Sequence, residues 1–165
     1  MLKKVLNMQK PLQQHPSQKF HGSVLQGPNL NLLGTRNPDI YGKKTLEEIH
    51  KEIAAHAFLY SCNLKFFQSN HEGALIDFLQ ENHTVQDFIL LNAGALTHYS
   101  YALRDAIECC LCPIYEIHLS NIYEREDFRK ISVLSSVCSG TFYGEGVKSY
   151  TMAIDHYFLN FNSHK

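Results

Sequence analysis

From Phe20 to Phe161 the chain alternates short apolar runs with longer stretches of helical periodicity, and this alternation restricts the fold more than any other feature. Each apolar run is strand-length, and each helical stretch is long enough to cross back over a sheet. The pattern therefore predicts a parallel sheet with helices on both faces. Asp87–Leu91 is the sharpest case, a short apolar run of the kind found where a sheet is covered on both sides. Further strands are expected at Phe20–Gln26, Asn63–Gln68, Pro113–Leu119 and Val137–Tyr143.

The helices are marked by caps and by period. Thr45 and Glu48 have capping-box spacing, and Leu46, Ile49 and Ile53 recur at helical intervals behind them. Glu72–Glu81 is expected to turn Leu75, Ile76 and Leu79 inward. Tyr99–Leu111 is expected to bury one face of Ala102, Leu103, Ala106, Ile107 and Cys110, and Gly146–Phe161 closes the chain. The resulting expectation is an α/β fold, a flavodoxin-like doubly wound five-stranded parallel sheet. Residues 1–19 are polar and rich in Gln, Lys and Pro, and read as a flexible N-terminal arm before a single α/β domain at 20–165. The first strand, with His21, Gly22 and Ser23, is less apolar than a central strand calls for.

Composition removes several function classes. A net charge of -1 gives no electrostatic footprint for nucleic acid or an anionic membrane. No stretch approaches the ~20 apolar residues of a membrane span. Met1–Leu6 carries two lysines with no apolar core behind them, unlike a signal peptide. The five cysteines, Cys62, Cys109, Cys110, Cys112 and Cys138, are odd in number and irregularly spaced. They fit small buried hydrophobes of a reduced, cytoplasmic protein; zinc ligation would need a second ligand cluster at suitable spacing.

The polar residues fall where an α/β sheet binds ligands. Asn29, Asn31, Arg36 and Tyr41 follow the first strand, and Asn70, His71 and Glu72 the second. Asn92, Gly94, Thr97 and His98 follow the third, and His118, Ser120 and Asn121 the fourth. Loop capping accounts for one or two such residues, but successive strand ends sharing one sheet edge point to a site.

Taken in order, Gly27-Pro28-Asn29-Leu30-Asn31-Leu32-Leu33-Gly34, Arg36, Tyr41-Gly42, Gln68-Ser69-Asn70-His71-Glu72-Gly73 and Leu91-Asn92-Ala93-Gly94-Ala95-Leu96-Thr97-His98 resemble the type II 3-dehydroquinate dehydratases. The resemblance continues through Ala102-Leu103-Arg104-Asp105-Ala106, Glu116-Ile117-His118-Leu119-Ser120-Asn121 and Arg125-Glu126-Asp127-Phe128-Arg129, covering roughly residues 24 to 160. It implies reversible dehydration of 3-dehydroquinate to 3-dehydroshikimate through an enolate, as an anti elimination in the shikimate pathway or in quinate breakdown. It implies no metal, no cofactor and no covalent intermediate, and a homo-oligomer, typically a dodecamer built from trimers.

By the same resemblance Tyr41 is the base, acting as phenolate with Arg36 as its matching cation. Asn29 orients a water toward the enolate, and His118 is the general acid. Glu116, two residues away on the same strand, faces the same side and is placed to fix the imidazole. Backbone amides of Leu119 and Ser120 grip the substrate carboxylate, while Asn92, His98 and Arg129 bind hydroxyls. Asp105, on the outward side of its helix, reaches a neighbouring subunit's site in the family. The loop Leu32–Gly42 is the expected lid. The chain departs from the family pattern at Lys130-Ile131-Ser132-Val133, Tyr99, Tyr101, Tyr143 and Glu145. Two other readings stay open: a silent relative that keeps the pocket as a binding module, and a flavodoxin-like nucleotide or phospho-receiver domain. The second would require a phosphate-cradling first loop or an acidic cluster at the strand ends, and Gly27-Pro28-Asn29-Leu30 supplies neither.

Overall fold

A computed structural model describes residues 19–35 and 43–163. The expected arm lies outside the described residues except for Lys19, as do Arg36, Tyr41 and most of the expected lid. Five strands, β1 (Phe20–Gln26), β2 (Cys62–Gln68), β3 (Phe88–Asn92), β4 (Ile114–His118) and β5 (Gly140–Tyr143), form one sheet in the order β2-β1-β3-β4-β5. All four pairings are parallel. This is the flavodoxin-like doubly wound order, which reverses direction between β1 and β3. Among the described residues the α-helices are α1 (Leu46–Phe58), α2 (Glu72–Asn82), α3 (Tyr101–Glu108) and α4 (Lys148–Ser163).

Strand alternation divides the core in two. On one face Val24, Phe88, Leu90, Tyr115 and Ile117 pack with Ile49 and Ile53 of α1 and with Tyr150, Ala153 and Ile154 of α4. On the other, Leu25, Ile89, Leu91 and Ile114 pack with Leu75 and Leu79 of α2 and Leu103, Ala106 and Ile107 of α3. Every residue of β3 is buried, so its apolar run is explained by contact with both layers.

The polar residues of β1 are also explained. The strand is interior, paired to β2 on one side and β3 on the other. A Cβ added at Gly22 would lie 2.6 Å from the Phe88 ring and 2.9 Å from Leu64, so glycine makes room for an aromatic ring in the core. Gly27 acts similarly at the strand's end, where an added Cβ would meet the Ala93 carbonyl oxygen at 2.5 Å. That close approach holds the loop after β1 against the loop after β3.

Thr45 caps α1 with both halves of the capping box in place. The helix expected at Tyr99–Leu111 is shorter, Tyr101–Glu108. Gly94–His98 is a 3-10 turn, Ser100 caps α3 by accepting from the Leu103 amide, and the helix ends at Glu108. Ala102 is exposed instead of facing inward, since the start at Tyr101 sets the helix phase by Leu103, Ala106 and Ile107. The fifth strand begins at Gly140, because Ser135–Val137 forms a separate 3-10 turn, and α4 starts two residues later than expected. Among the described residues no helix is long and apolar enough to cross a membrane.

Candidate active site

The carboxyl ends of β1, β3 and β4 open into one cleft. It is lined by Asn29, Asn92, His98, His118, Leu119, Ser120, Arg125 and Arg129, with Pro28, Leu30, Leu33 and Ile122 among its apolar walls. Seven of the expected site residues therefore meet at one place: Asn29, Asn92, His98, His118, Leu119, Ser120 and Arg129. Asp105 is exposed on α3 and does not line the cleft. Arg36 and Tyr41 lie outside the described residues.

His118 ends β4 and is 5% exposed. Its ring nitrogen Nε2 lies 2.9 Å from Glu116 Oε1, and Glu116 itself is completely buried. A carboxylate withdrawn from water demands partners. Ser132 Oγ donates to Glu116 Oε1 at 2.7 Å, and Thr141 Oγ1 donates to Oε2 at 3.4 Å. Ser132 is fixed in turn, accepting from the backbone amides of Leu134 and Ser135. The carboxylate thus orients an imidazole whose opposite edge is free to serve the cleft. Such a histidine can deliver a proton to a leaving group at a defined position.

Across the cleft, His98 lies at the end of the 3-10 turn after β3, with Nδ1 2.7 Å from the Ile131 carbonyl oxygen. A carbonyl only accepts, so Nδ1 carries the proton and Nε2 is left as an acceptor in the neutral ring. Burial favours that neutral ring by pushing the His98 pKa down, helped by nearby His118 and Arg129 and opposed by the Ile131 bond. A neutral imidazole here suits hydroxyl binding.

Asn29 stands at φ 66° where β1 hands over to a short 3-10 turn, and its backbone amide donates to Asn70 Oδ1 at 2.8 Å. Asn70 also accepts from Gln68 Nε2 at 3.2 Å, so the end of β2 braces the loop that presents Asn29. Asn92, at the end of β3, is buried; its Oδ1 accepts from the Gly94 amide and its Nδ2 donates to the Tyr150 hydroxyl.

The cationic side is built from Arg125 and Arg129. Arg129 packs its guanidinium 4.8 Å from the centre of the Phe128 ring. Its Nε lies 3.2 Å from Glu126 Oε2, close enough for an ion pair but without hydrogen-bond alignment. Arg125 reaches Ser120 Oγ at 3.4 Å and Glu126 Oε2 at 3.4 Å. Sequence reasoning assigned no role to Arg125, although it opens the same motif block that Arg129 closes. Ser132, Thr141, Gln26 and Tyr150 were also missed, because each serves the site through another side chain.

Among the described residues no group of three or more His, Cys, Asp and Glu is placed to hold a metal ion. The cysteines among the described residues are all free thiols. Burial raises the pKa of Cys110 and Cys112 to about 11, so they sit as protonated, apolar packing groups.

Comparison with known proteins agrees with this geometry. The family profile described as "Dehydroquinase class II" matches residues 21–158. The chain is 51% identical over 139 residues to a 3-dehydroquinate dehydratase of Polynucleobacter asymbioticus, covering 84% of this chain and 93% of that protein. It is 49% identical over 133 residues to the protein of that name from Halothermothrix orenii, covering 81% and 90%. Among solved structures, a type II dehydroquinase from Butyrivibrio crossotus superimposes with a TM-score of 0.83 at 44% identity, covering 85% of this chain and 98% of that one. With fold, site and sequence in agreement over most of its length, this chain belongs to the class II dehydroquinase family.

Proposed function

We propose that this protein is a hydro-lyase that reversibly dehydrates 3-dehydroquinate to 3-dehydroshikimate. The observation that carries the reading is the buried, carboxylate-backed His118 at a strand end, opening into a cleft that also presents Asn29, Asn92, His98 and two arginines. The reaction breaks a C–H bond next to a ketone, places the charge on an enolate oxygen, then expels the β-hydroxyl as water. In this reading the proton is removed on one face of the substrate and the hydroxyl leaves from the other, an anti elimination.

Tyr41 is the base in this reading, and Arg36 the cation that favours its phenolate. An ordinary tyrosine titrates near ~10, so each unit of downward shift asks the site for about 1.4 kcal/mol. Asn29 orients a water toward the enolate oxygen, spreading its charge. His118, with Glu116 behind it, donates the proton that leaves with the hydroxyl. The carboxylate of the substrate is gripped by the amides of Leu119 and Ser120, and the hydroxyls by Asn92, His98 and Arg129. Asp105 serves a neighbouring subunit within a dodecamer built from trimers, and the exposed Tyr99, Tyr101 and Ile131 are available for packing between copies.

The direct test is to mix the purified protein with 3-dehydroquinate and follow the rise of enone absorbance, with and without a chelator. Chelator-insensitive turnover is expected. A folded protein that leaves the substrate unchanged would overturn the assignment. Tyr41→Phe is expected to abolish turnover while leaving the melting temperature in place. His118→Ala is expected to lose elimination yet retain some proton exchange at the carbon next to the ketone, which NMR in D2O reads separately.

A further inference from the structure

Asn92 is not held by its own strand alone. Its carboxamide is one link in a buried chain of neutral groups: Gly94 N–H to Asn92 Oδ1 at 3.2 Å, Asn92 Nδ2 to Tyr150 OH at 3.0 Å, and Tyr150 OH to Gln26 Oε1 at 2.8 Å. Beyond it, Gln26 Nε2 lies 3.5 Å from His50 Nε2. The members come from β1, β3 and the turn after it, α1 and α4, and meet on the α1/α4 face of the sheet. Gln26 and Tyr150 are both fully buried, and Asn92 is 4% exposed.

The chain has a direction, and one group sets it. The Gly94 amide can only donate, so the Asn92 atom facing it is the oxygen, which turns the NH2 toward Tyr150. Tyr150 then accepts from Asn92 and donates its own proton to Gln26 Oε1. That leaves the Gln26 NH2 toward His50 Nε2, which accepts in the neutral ring. An Asn92 flipped end for end would face donor to donor at Gly94. With these partners in place, one N–H and one lone pair of Asn92 remain for the cleft that it lines. Burial also raises the Tyr150 pKa to about 12, so its hydroxyl keeps the proton it donates.

We propose that Tyr150 is a positioning residue for the substrate: its hydroxyl fixes the orientation of the Asn92 carboxamide and so sets recognition of the substrate hydroxyl. The proposal rests on the reading that Asn92 contacts substrate. Tyr150 touches no reacting atom, and its loss weakens binding without disabling proton transfer.

The test is steady-state kinetics with 3-dehydroquinate on the full chain and on Tyr150→Phe, Asn92→Ala and the double variant, with thermal melts as the folding control. Tyr150→Phe keeps the ring and removes only the oxygen. It is expected to raise KM about tenfold and to change kcat by less than about twofold. In the Asn92→Ala background the same substitution is expected to have no further effect on KM, because Tyr150 acts only through Asn92. Gln26→Met removes the acceptor of the Tyr150 proton from the other side and is expected to raise KM as well. An unchanged KM in Tyr150→Phe, or multiplicative effects in the double variant, would overturn the proposal. An unchanged KM in Asn92→Ala alone would remove the substrate contact on which it rests. A wild-type protein without turnover would instead remove the assigned reaction, so the three failures are distinguishable.

Discussion

His118 and Asn92 end neighbouring strands, point to opposite faces of one sheet, and are held by different kinds of support. His118 leans on a charge. Glu116 is two residues away in sequence, fully buried, and satisfied by hydroxyls from Ser132 and Thr141. Asn92 leans on neutral groups that come from β1 and α4, far away in sequence. A buried carboxylate that meets its histidine at hydrogen-bond distance keeps the ring in one orientation, which is what an acid requires. A neutral chain fixes orientation with little electrostatic consequence, which is what a binding residue requires. On the proposed reading, one face of the sheet supports chemistry and the other supports recognition.

The difference is broken most severely at His118. His118→Ala is expected to lower kcat by about 10²–10⁴, the span over which general acids act, with KM changing far less. A fall in kcat of less than about tenfold would mean that the charged side does not carry the chemistry. Glu116→Gln preserves shape and removes the charge behind the ring. Hydrogen bonds to charged groups contribute about 1.5–3 kcal/mol, so kcat should fall about 10–100-fold. A fall in kcat of less than about threefold would reduce Glu116 to packing.

A structural substitution sharpens the comparison further. Gly22→Ala forces a methyl into the Phe88 ring and Leu64, an overpacking expected to cost about 1–3 kcal/mol in urea unfolding. Because β1 also carries Gln26, any shift it causes should reach KM through Tyr150 and Asn92. The kcat expected to depend on Glu116 and His118 on β4 should change far less. A lowered kcat with normal KM would reverse the division of labour.

How far each half could be read from sequence follows from the same distinction. The sheet was legible because β3 is apolar throughout and α1 carries a capping box, both local signals. Glu116 and His118 were legible because strand alternation alone puts i and i+2 on one side. Gly22 and Ser23 obscured β1, since the need for glycine there lies in Phe88, a residue of another strand. Ala102 was misjudged because the true start of α3 depends on the Ser100 cap and on the 3-10 turn before it. Tyr150 carried no signal at all. In sequence it is one more aromatic residue on an amphipathic helix, and its hydroxyl acquires a role only when Gln26 and Asn92 arrive from two other elements.

The smallest expected effect lies at the far end of the neutral chain. His50 stacks on Phe66 with ring centres 4.3 Å apart, and burial holds its pKa below the ordinary 6.5. The sign follows directly. The unfolded chain takes up a proton at His50 first, so this contribution to stability is complete above about pH 6.5 and is lost as pH falls through the depressed folded-state value. His98, also shifted down chiefly by burial, acts in the same sense. Protonated His50 would face the Gln26 NH2 with a second donor, so acid works against the chain's direction as well as against burial. Urea midpoints measured from pH 8 to pH 5 should decline for the wild type and decline less for His50→Gln, which keeps an acceptor for Gln26 and cannot titrate. Equal slopes would show that the neutral chain ends at Gln26, and that His50 belongs to the core of α1 and not to the support of the site.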